Sequence, residues 1–129
     1  MKSSIKEEML FSVGEVCKQT GITRKTLFYY DKIGLLKPAE RTRTQQFKRY
    51  DSGGLDRLRK ILEYRKAGLN IAEIRHLLDD PGADRLQILI GAMHRLLEQK
   101  VGIDQEIRNL EALVREEKSL TVPRGTVTE

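Results

Sequence analysis

The sequence predicts a mainly α-helical fold: a small domain of short helices carrying one basic β-ribbon, followed by a single long helix. Three features of the 129 residues lead there. Capping signatures recur ahead of short runs with helical apolar spacing. A basic stretch around Pro38 abandons that spacing. From Leu86 onward apolar residues repeat every three and four positions, the pattern of a coiled-coil seam.

Residues 1–9 are polar and read as a flexible lead-in. Ser12-Val13-Gly14-Glu15 has the spacing of a capping box, in which Ser12 accepts from a backbone N–H and Glu15 reaches back. A helix follows to Gln19 and buries Val13 and Val16, and Gly21 ends it. Thr23 caps a second helix, Arg24 to Ile33, which Gly34 stops. Two short helices joined by a few residues with a glycine form a helix-turn-helix. Pro38 holds Lys37 out of the helical region. Arg41-Thr42-Arg43 and Phe47-Lys48-Arg49-Tyr50 then read as two arms around Thr44-Gln45-Gln46, a small ribbon whose turn lacks the usual Asn-Gly or Asp-Gly.

Asp51 or Ser52 can cap a third helix, with Leu55, Leu58, Ile61, Leu62 and Tyr64 at helical spacing and Gly68 as its stop. Asn70-Ile71-Ala72-Glu73 repeats the capping signature for a short fourth helix ending at Leu78, and Asp79-Asp80-Pro81-Gly82 breaks it. The last element, residues 83–118, sets Leu86, Leu89, Met93, Leu96, Lys100, Ile103, Ile107, Leu110 and Val114 on one seam, eight of the nine apolar. Such a stripe is not satisfied in water. At 1.5 Å per residue it runs for roughly 40 Å, further than a domain over residues 10–79 would cover. A homodimer is therefore expected, with Leu89, Met93, Leu96, Ile103, Ile107, Leu110 and Val114 as its contact residues. Lys100 would fix the register. Residues 119–129 read as a disordered tail.

Composition narrows the function. Apolar residues make up 39% and charged residues 33%, a globular mix, and the net charge is +5. The excess is uneven: 17 basic against 11 acidic residues up to position 82, then 7 against 8. The partner-seeking basic surface therefore belongs to the first part of the chain. No apolar run approaches the roughly 20 residues that span a bilayer. The opening MKSSIKEEML carries acids where a signal peptide would be apolar, so a cytoplasmic protein is expected.

Catalysis is disfavoured. His76 and His94 fall on different helices, without a carboxylate or thiol at ligand spacing, and read as ordinary surface histidines. Cys17, the single cysteine, can form no internal disulfide and reads as a small buried residue. There is no phosphate loop, nucleophile elbow or acid pair. No metal site and no cofactor is expected.

The stretch from Thr23 to Tyr50 is more informative, with eight basic residues against two acids, interleaved with Phe28, Tyr29, Tyr30, Phe47 and Tyr50. This charge falls on the second helix of the helix-turn-helix and on the ribbon behind it, not on a scattered face. The start of such a helix enters the major groove, which directs Thr23, Arg24 and Lys25 to base edges and phosphates. Arg41, Arg43, Lys48 and Arg49 on a wing would neutralise phosphates on the flank. Tyr29 and Tyr30 cannot share a helix face. One packs inward and the other offers its hydroxyl to DNA.

Phe11-Ser12-Val13-Gly14-Glu15-Val16, Gly21-Ile22-Thr23, Thr26-Leu27-Phe28-Tyr29-Tyr30-Asp31, Ile33-Gly34-Leu35-Leu36 and Phe47-Lys48-Arg49-Tyr50 together resemble the DNA-binding domain of the MerR family of bacterial transcription regulators. The likeness covers residues 10–79, and the TLxYYDxxGLL block is its most specific part. It implies a winged helix-turn-helix followed by a long dimerisation helix that forms an antiparallel coiled coil. It also implies a homodimer on a palindromic promoter site, which bends and untwists the spacer so that RNA polymerase engages both promoter elements. Residue by residue it assigns DNA contacts to Arg24, Lys25 and Tyr29 on the helix and to Lys48 and Arg49 on the wing.

Three positions depart from that pattern. Phe28 stands where many members carry Arg and is expected to fill a hydrophobic gap. Phe47 replaces the usual wing Tyr. Gly53-Gly54 opens the third helix where members often carry acids. After position 82 there is no cysteine for a thiol-based metal sensor, and no ligand domain is expected after the coil, so the sequence assigns no effector. An architectural DNA-binding module and a coiled-coil interaction protein are the rival readings.

Overall fold

Ser12 opens the fold in two capacities. In a computed structural model, which describes residues 9–42 and 47–127 with side chains as far as Thr121, it ends a short strand and caps the first helix. The strand, β1, is Phe11–Ser12, and the helix, α1, is Val13–Thr20. The capping box is complete: Glu15 N–H donates to Ser12 Oγ at 3.1 Å, and Ser12 N–H donates to Glu15 Oε1 at 2.8 Å. Gly21 closes α1 in the left-handed region, φ +81°, which costs a residue without Cβ nothing. Thr23 then caps α2, Arg24–Lys32, accepting from Thr26 N–H at 3.1 Å. Gly34, φ +79°, turns the chain away.

The ribbon forms as β2, Glu40–Arg41, and β3, Lys48–Tyr50. Its expected turn, Thr44-Gln45-Gln46, and Arg43 lie outside the described residues, as do positions 1–8 of the lead-in. The sheet has a third strand that the sequence reading did not anticipate. β1 pairs with β3, giving the antiparallel order β1-β3-β2 with Phe11 opposite Tyr50 and Ser12 opposite Arg49. Two residues leave no period to read, so β1 has no sequence signature of its own.

Asp51, not Ser52, caps α3, Ser52–Lys66, accepting from Gly54 N–H at 2.7 Å. Asn70 and Glu73 make the second capping box, opening α4, Ile71–Asp79. The core gathers one face from each element: Val13 and Val16, Leu27 and Tyr30, Leu35 and Leu36, Tyr50, Leu55, Leu58 and Ile61, Leu69, Ile74 and Leu77. Each of these apolar side chains contributes on the order of 1.5–3 kcal/mol by leaving water. Arg57 ties three pieces together. Its Nε donates to Leu35 O at 2.8 Å, and its two terminal nitrogens grip Asp79 at 2.7 and 2.9 Å. The Arg57 guanidinium holds the Asp79 carboxyl below its ordinary range. Arg75 donates to Ile33 O from α4.

The chain divides into two compact units, residues up to Ala83 and residues from Asp84. The second is one helix, α5, Arg85–Val127. Asp84 accepts from Gln87 N–H at 3.2 Å at its start. The helix does not stop at 118, so residues 119–127 are helical where a tail was expected. Ser119 and Thr121 lie within it, their hydroxyls donating back to Glu116 O and Glu117 O at 3.0 and 2.7 Å. The seven expected contact residues are each 41 to 61% exposed in the single chain. Nothing in the structure explains Gly91 or Gly102, where an added Cβ meets open space. Among the described residues no helix is long and apolar enough to cross a membrane.

Candidate nucleic-acid interface

The face that α2 presents outward follows from its period. Leu27, Tyr30 and Asp31 occupy the buried side at i, i+3 and i+4, which leaves Arg24, Lys25 and Tyr29 exposed. The two tyrosines separate as the spacing requires: Tyr30 is buried, and Tyr29 is 50% exposed with its ring 6.2 Å from that of Tyr30. Thr23 is exposed, but its hydroxyl is occupied by the first turn, accepting from Thr26 N–H and donating to Thr26 Oγ1 at 3.0 Å. It is a cap before it is a DNA ligand.

The wing follows the period of two. Arg41 lies opposite Lys48 across the ribbon, and Glu40 opposite Arg49. Arg41, Lys48 and Tyr50 therefore share one face, directed inward, while Arg49 stands on the other and is exposed. The sequence directs Arg41 and Lys48 to phosphates, and in the structure their side chains also have a partner within the chain. Both converge on Asp31, which is only 4% exposed. Arg41 grips it with two nitrogens at 2.9 and 3.1 Å, and Lys48 Nζ lies 3.0 Å from Oδ2. Lys37 is a looser third cation at 3.8 Å. Burial alone would raise the Asp31 carboxyl, but the hydrogen bonds and charges of Arg41 and Lys48 outweigh it and hold the group below its ordinary range. The same pairing raises Arg41.

Asp31 is the residue that sequence reasoning passed over, counting it only as one of two acids in a basic stretch. The signal was available: it falls on the i+4 position from Leu27, on the buried face, and a buried carboxylate requires cations. Phe28 also differs from expectation. It fills no gap. It is 39% exposed, with Lys48 Nζ 4.2 Å from its ring centroid, a cation–π contact. Next to the cluster, the Tyr50 hydroxyl is buried with no hydrogen-bond partner among the described residues. Burial pushes it up to about 12, and the Asp31 charge adds to the shift.

Arg24 and Arg49 open on one cleft between α2 and the wing. The remaining chemistry-bearing residues lie apart from it. Cys17 is half-buried in α1 and His94 is exposed on α5. His76 does have a carboxylate neighbour, Asp80 at 3.4 Å one turn on, at the exposed end of α4. No group of His, Cys, Asp and Glu among the described residues is arranged to hold a metal ion.

Comparison with known proteins gives a consistent picture. The sequence profile described as MerR HTH family regulatory protein matches residues 11–80. The HTH-type transcriptional activator TipA of Streptomyces coelicolor is 44% identical over 94 residues, which is 73% of this chain and 36% of TipA. The crystal structure of MtaN, the N-terminus of the Bacillus subtilis multidrug transporter activator, aligns with a TM-score of 0.68 at 30% identity, over 81% of this chain and 97% of that one. EcmrR in its DNA complex, solved by cryo-EM, aligns with a TM-score of 0.76 at 26% identity, over 87% of this chain and 41% of that one. The chain thus spans about a third of the length of TipA.

Proposed function

The chain belongs to the MerR family of helix-turn-helix regulatory proteins, and on that premise we propose that it is a homodimeric, sequence-specific regulator of transcription acting at a palindromic promoter site. The observation that carries the reading is the cleft between α2 and the wing, where Arg24 and Arg49 converge while Lys25 and Tyr29 stand exposed along the same helix. Arg24, Lys25 and Tyr29 reach base edges and phosphates in the major groove, and Arg49 contacts a flanking phosphate. Arg41 and Lys48 act from behind, fixing the wing to α2 through Asp31. Arg43 belongs to the same wing in sequence and supplies a further phosphate contact.

Two copies join through the α5 seam, which is apolar at eight of nine positions and exposed in the single chain. The pairing is an antiparallel coiled coil, so that each protomer delivers one α2 and one wing to a half-site. Distorting the spacer between promoter elements then offers or withholds the promoter to RNA polymerase. The domain over residues 10–79 binds and the helix from 83 dimerises, in the cytoplasm, at the nucleoid. No catalytic step is assigned to any residue.

The test is selection of bound fragments from genomic DNA by the purified protein, followed by footprinting of what is recovered. A shared palindrome within a promoter spacer is the expected result. Fragments with no common sequence would replace this reading with an architectural one.

A further inference from the structure

The cleft between α2 and the wing is more than a gap between two basic elements. Its walls are largely apolar. Phe28 and Phe47 line it, and Gly14 adds no side chain to it. Phe47, at 66%, is among the most exposed large apolar residues of the first unit, and Phe28 shows its ring beside it. The rim is cationic. Arg24 lies so near Gly14 that a Cβ there would meet its guanidinium at 3.6 Å, Arg49 points outward, and Lys48 sits over one face of Phe28. The acid beneath, Asp31, is buried under Lys48 and does not line the cleft.

An apolar slot of about 360 Å³ with arginines at its edge fits a polymer that alternates anionic groups with uncharged rings. We propose that it seats the sugar-phosphate backbone of one DNA strand, with a deoxyribose packed against Phe28 and Phe47 while the adjoining phosphates meet Arg24 and Arg49. The proposal rests on the DNA-binding reading above and adds which part of the DNA the aromatics touch. A base would need partners for its edge, whereas the polar side chains lining the slot are the cations Arg24, Lys48 and Arg49, suited to phosphate, and Ser12, whose Oγ already accepts from Glu15 N–H. An acidic peptide would meet the cations but leave the phenyl rings in water.

Hydroxyl radicals cut DNA by attacking the sugar, so protection from them reports deoxyribose burial directly. The probe is the duplex recovered in the genomic selection. The wild-type protein protects a short run of sugars on the flank of each half-site. Phe47→Ser removes that protection and weakens binding roughly tenfold, the equivalent of losing one apolar contact. The salt dependence stays unchanged, because no charge is lost. Phe47→Leu restores both protection and affinity. Phe28→Ser behaves as Phe47→Ser; its fold is checked by thermal melting, and the largely exposed Phe47 keeps the test independent of it. Unchanged protection in both serine variants overturns the proposal. So does failure of Phe47→Leu to rescue, which marks aromatic stacking on a base. Absence of any protection by wild type overturns the DNA reading and this slot with it, whereas flank protection that survives loss of both rings overturns the slot alone.

Discussion

Asp31→Asn is the substitution that tests the architecture of the interface most directly. The wild-type side chain is 6% exposed, and its partners are graded: Lys48 at 13%, Arg41 at 30% and Lys37 at 63%. Removing one member of a fully buried ion pair costs about 3–5 kcal/mol. Here Arg41 and Lys37 can turn to water, and Asn keeps the volume and one acceptor oxygen, so the expected loss is about 2–3 kcal/mol. For a domain of this size that lowers the melting midpoint by roughly 10–20 °C.

The pH dependence separates charge from shape. The folded carboxyl lies below its ordinary value of 3.8. Its contribution is therefore complete above that pH and is lost as pH falls through the folded value. Near-UV circular dichroism of the buried Tyr30 and Tyr50 reports the first unit without the signal of α5. Wild type should lose stability steeply below about pH 4, and the variant should show a shallower acid limb, with Asp79 supplying what remains. A midpoint within about 2 °C of wild type at neutral pH would refute the reasoning. So would a loss of the expected size with an unchanged acid limb, since that would make Asp31 a matter of packing and not of charge.

Four other outcomes follow from the same structure. Arg49→Ala, on the outward face of β3, should weaken binding to all sequences and flatten the salt slope by about one; a loss confined to one base position would mean that Arg49 reads bases. Charged residues at both Ile103 and Ile107 should leave monomers in analytical ultracentrifugation, and an unchanged dimer would show the seam to be elsewhere. Ser12→Ala removes the acceptor of the first capping box and should cost about 1 kcal/mol in urea unfolding. Tyr50→Phe removes a buried hydroxyl without a partner, so stability should hold or rise by about 1 kcal/mol; a clear loss would reveal a bond that the hydroxyl makes.

Much of this fold could be read from local chemistry. Ser12 with Glu15, and Asn70 with Glu73, announce helix starts because capping satisfies orphan N–H groups within four residues of chain. Gly21 and Gly34 mark ends for an equally local reason. The seam from Leu86 to Val114 is legible because its period persists over many turns. What escaped was set by tertiary position. β1 is too short to carry a period and exists because Tyr50 and Arg49 lie alongside it. The inward turn of Lys48 follows from a two-residue alternation that its neighbour Arg49 masks, since both are basic and composition alone treats them alike. Asp31 read as a stray negative charge until the strands brought two cations to it. The long helix passed its expected end through Ser119 and Thr121, residues that often open turns but here donate their hydroxyls one turn back within the helix.

The pairing of Phe11 with Tyr50 and Ser12 with Arg49 also ties the start of the domain to the last strand of the wing. The amide protons of β3 that face β1 should then exchange only as fast as β1 lifts away, so that this edge of the sheet opens as one unit although nearly forty positions separate the two strands in the chain. Fraying at Phe11 frees the cap of α1 and the inner edge of the ribbon in a single event. A protease cut, a deletion or a fusion partner that reaches this dipeptide would accordingly loosen the wing before it disturbs any helix beyond the first.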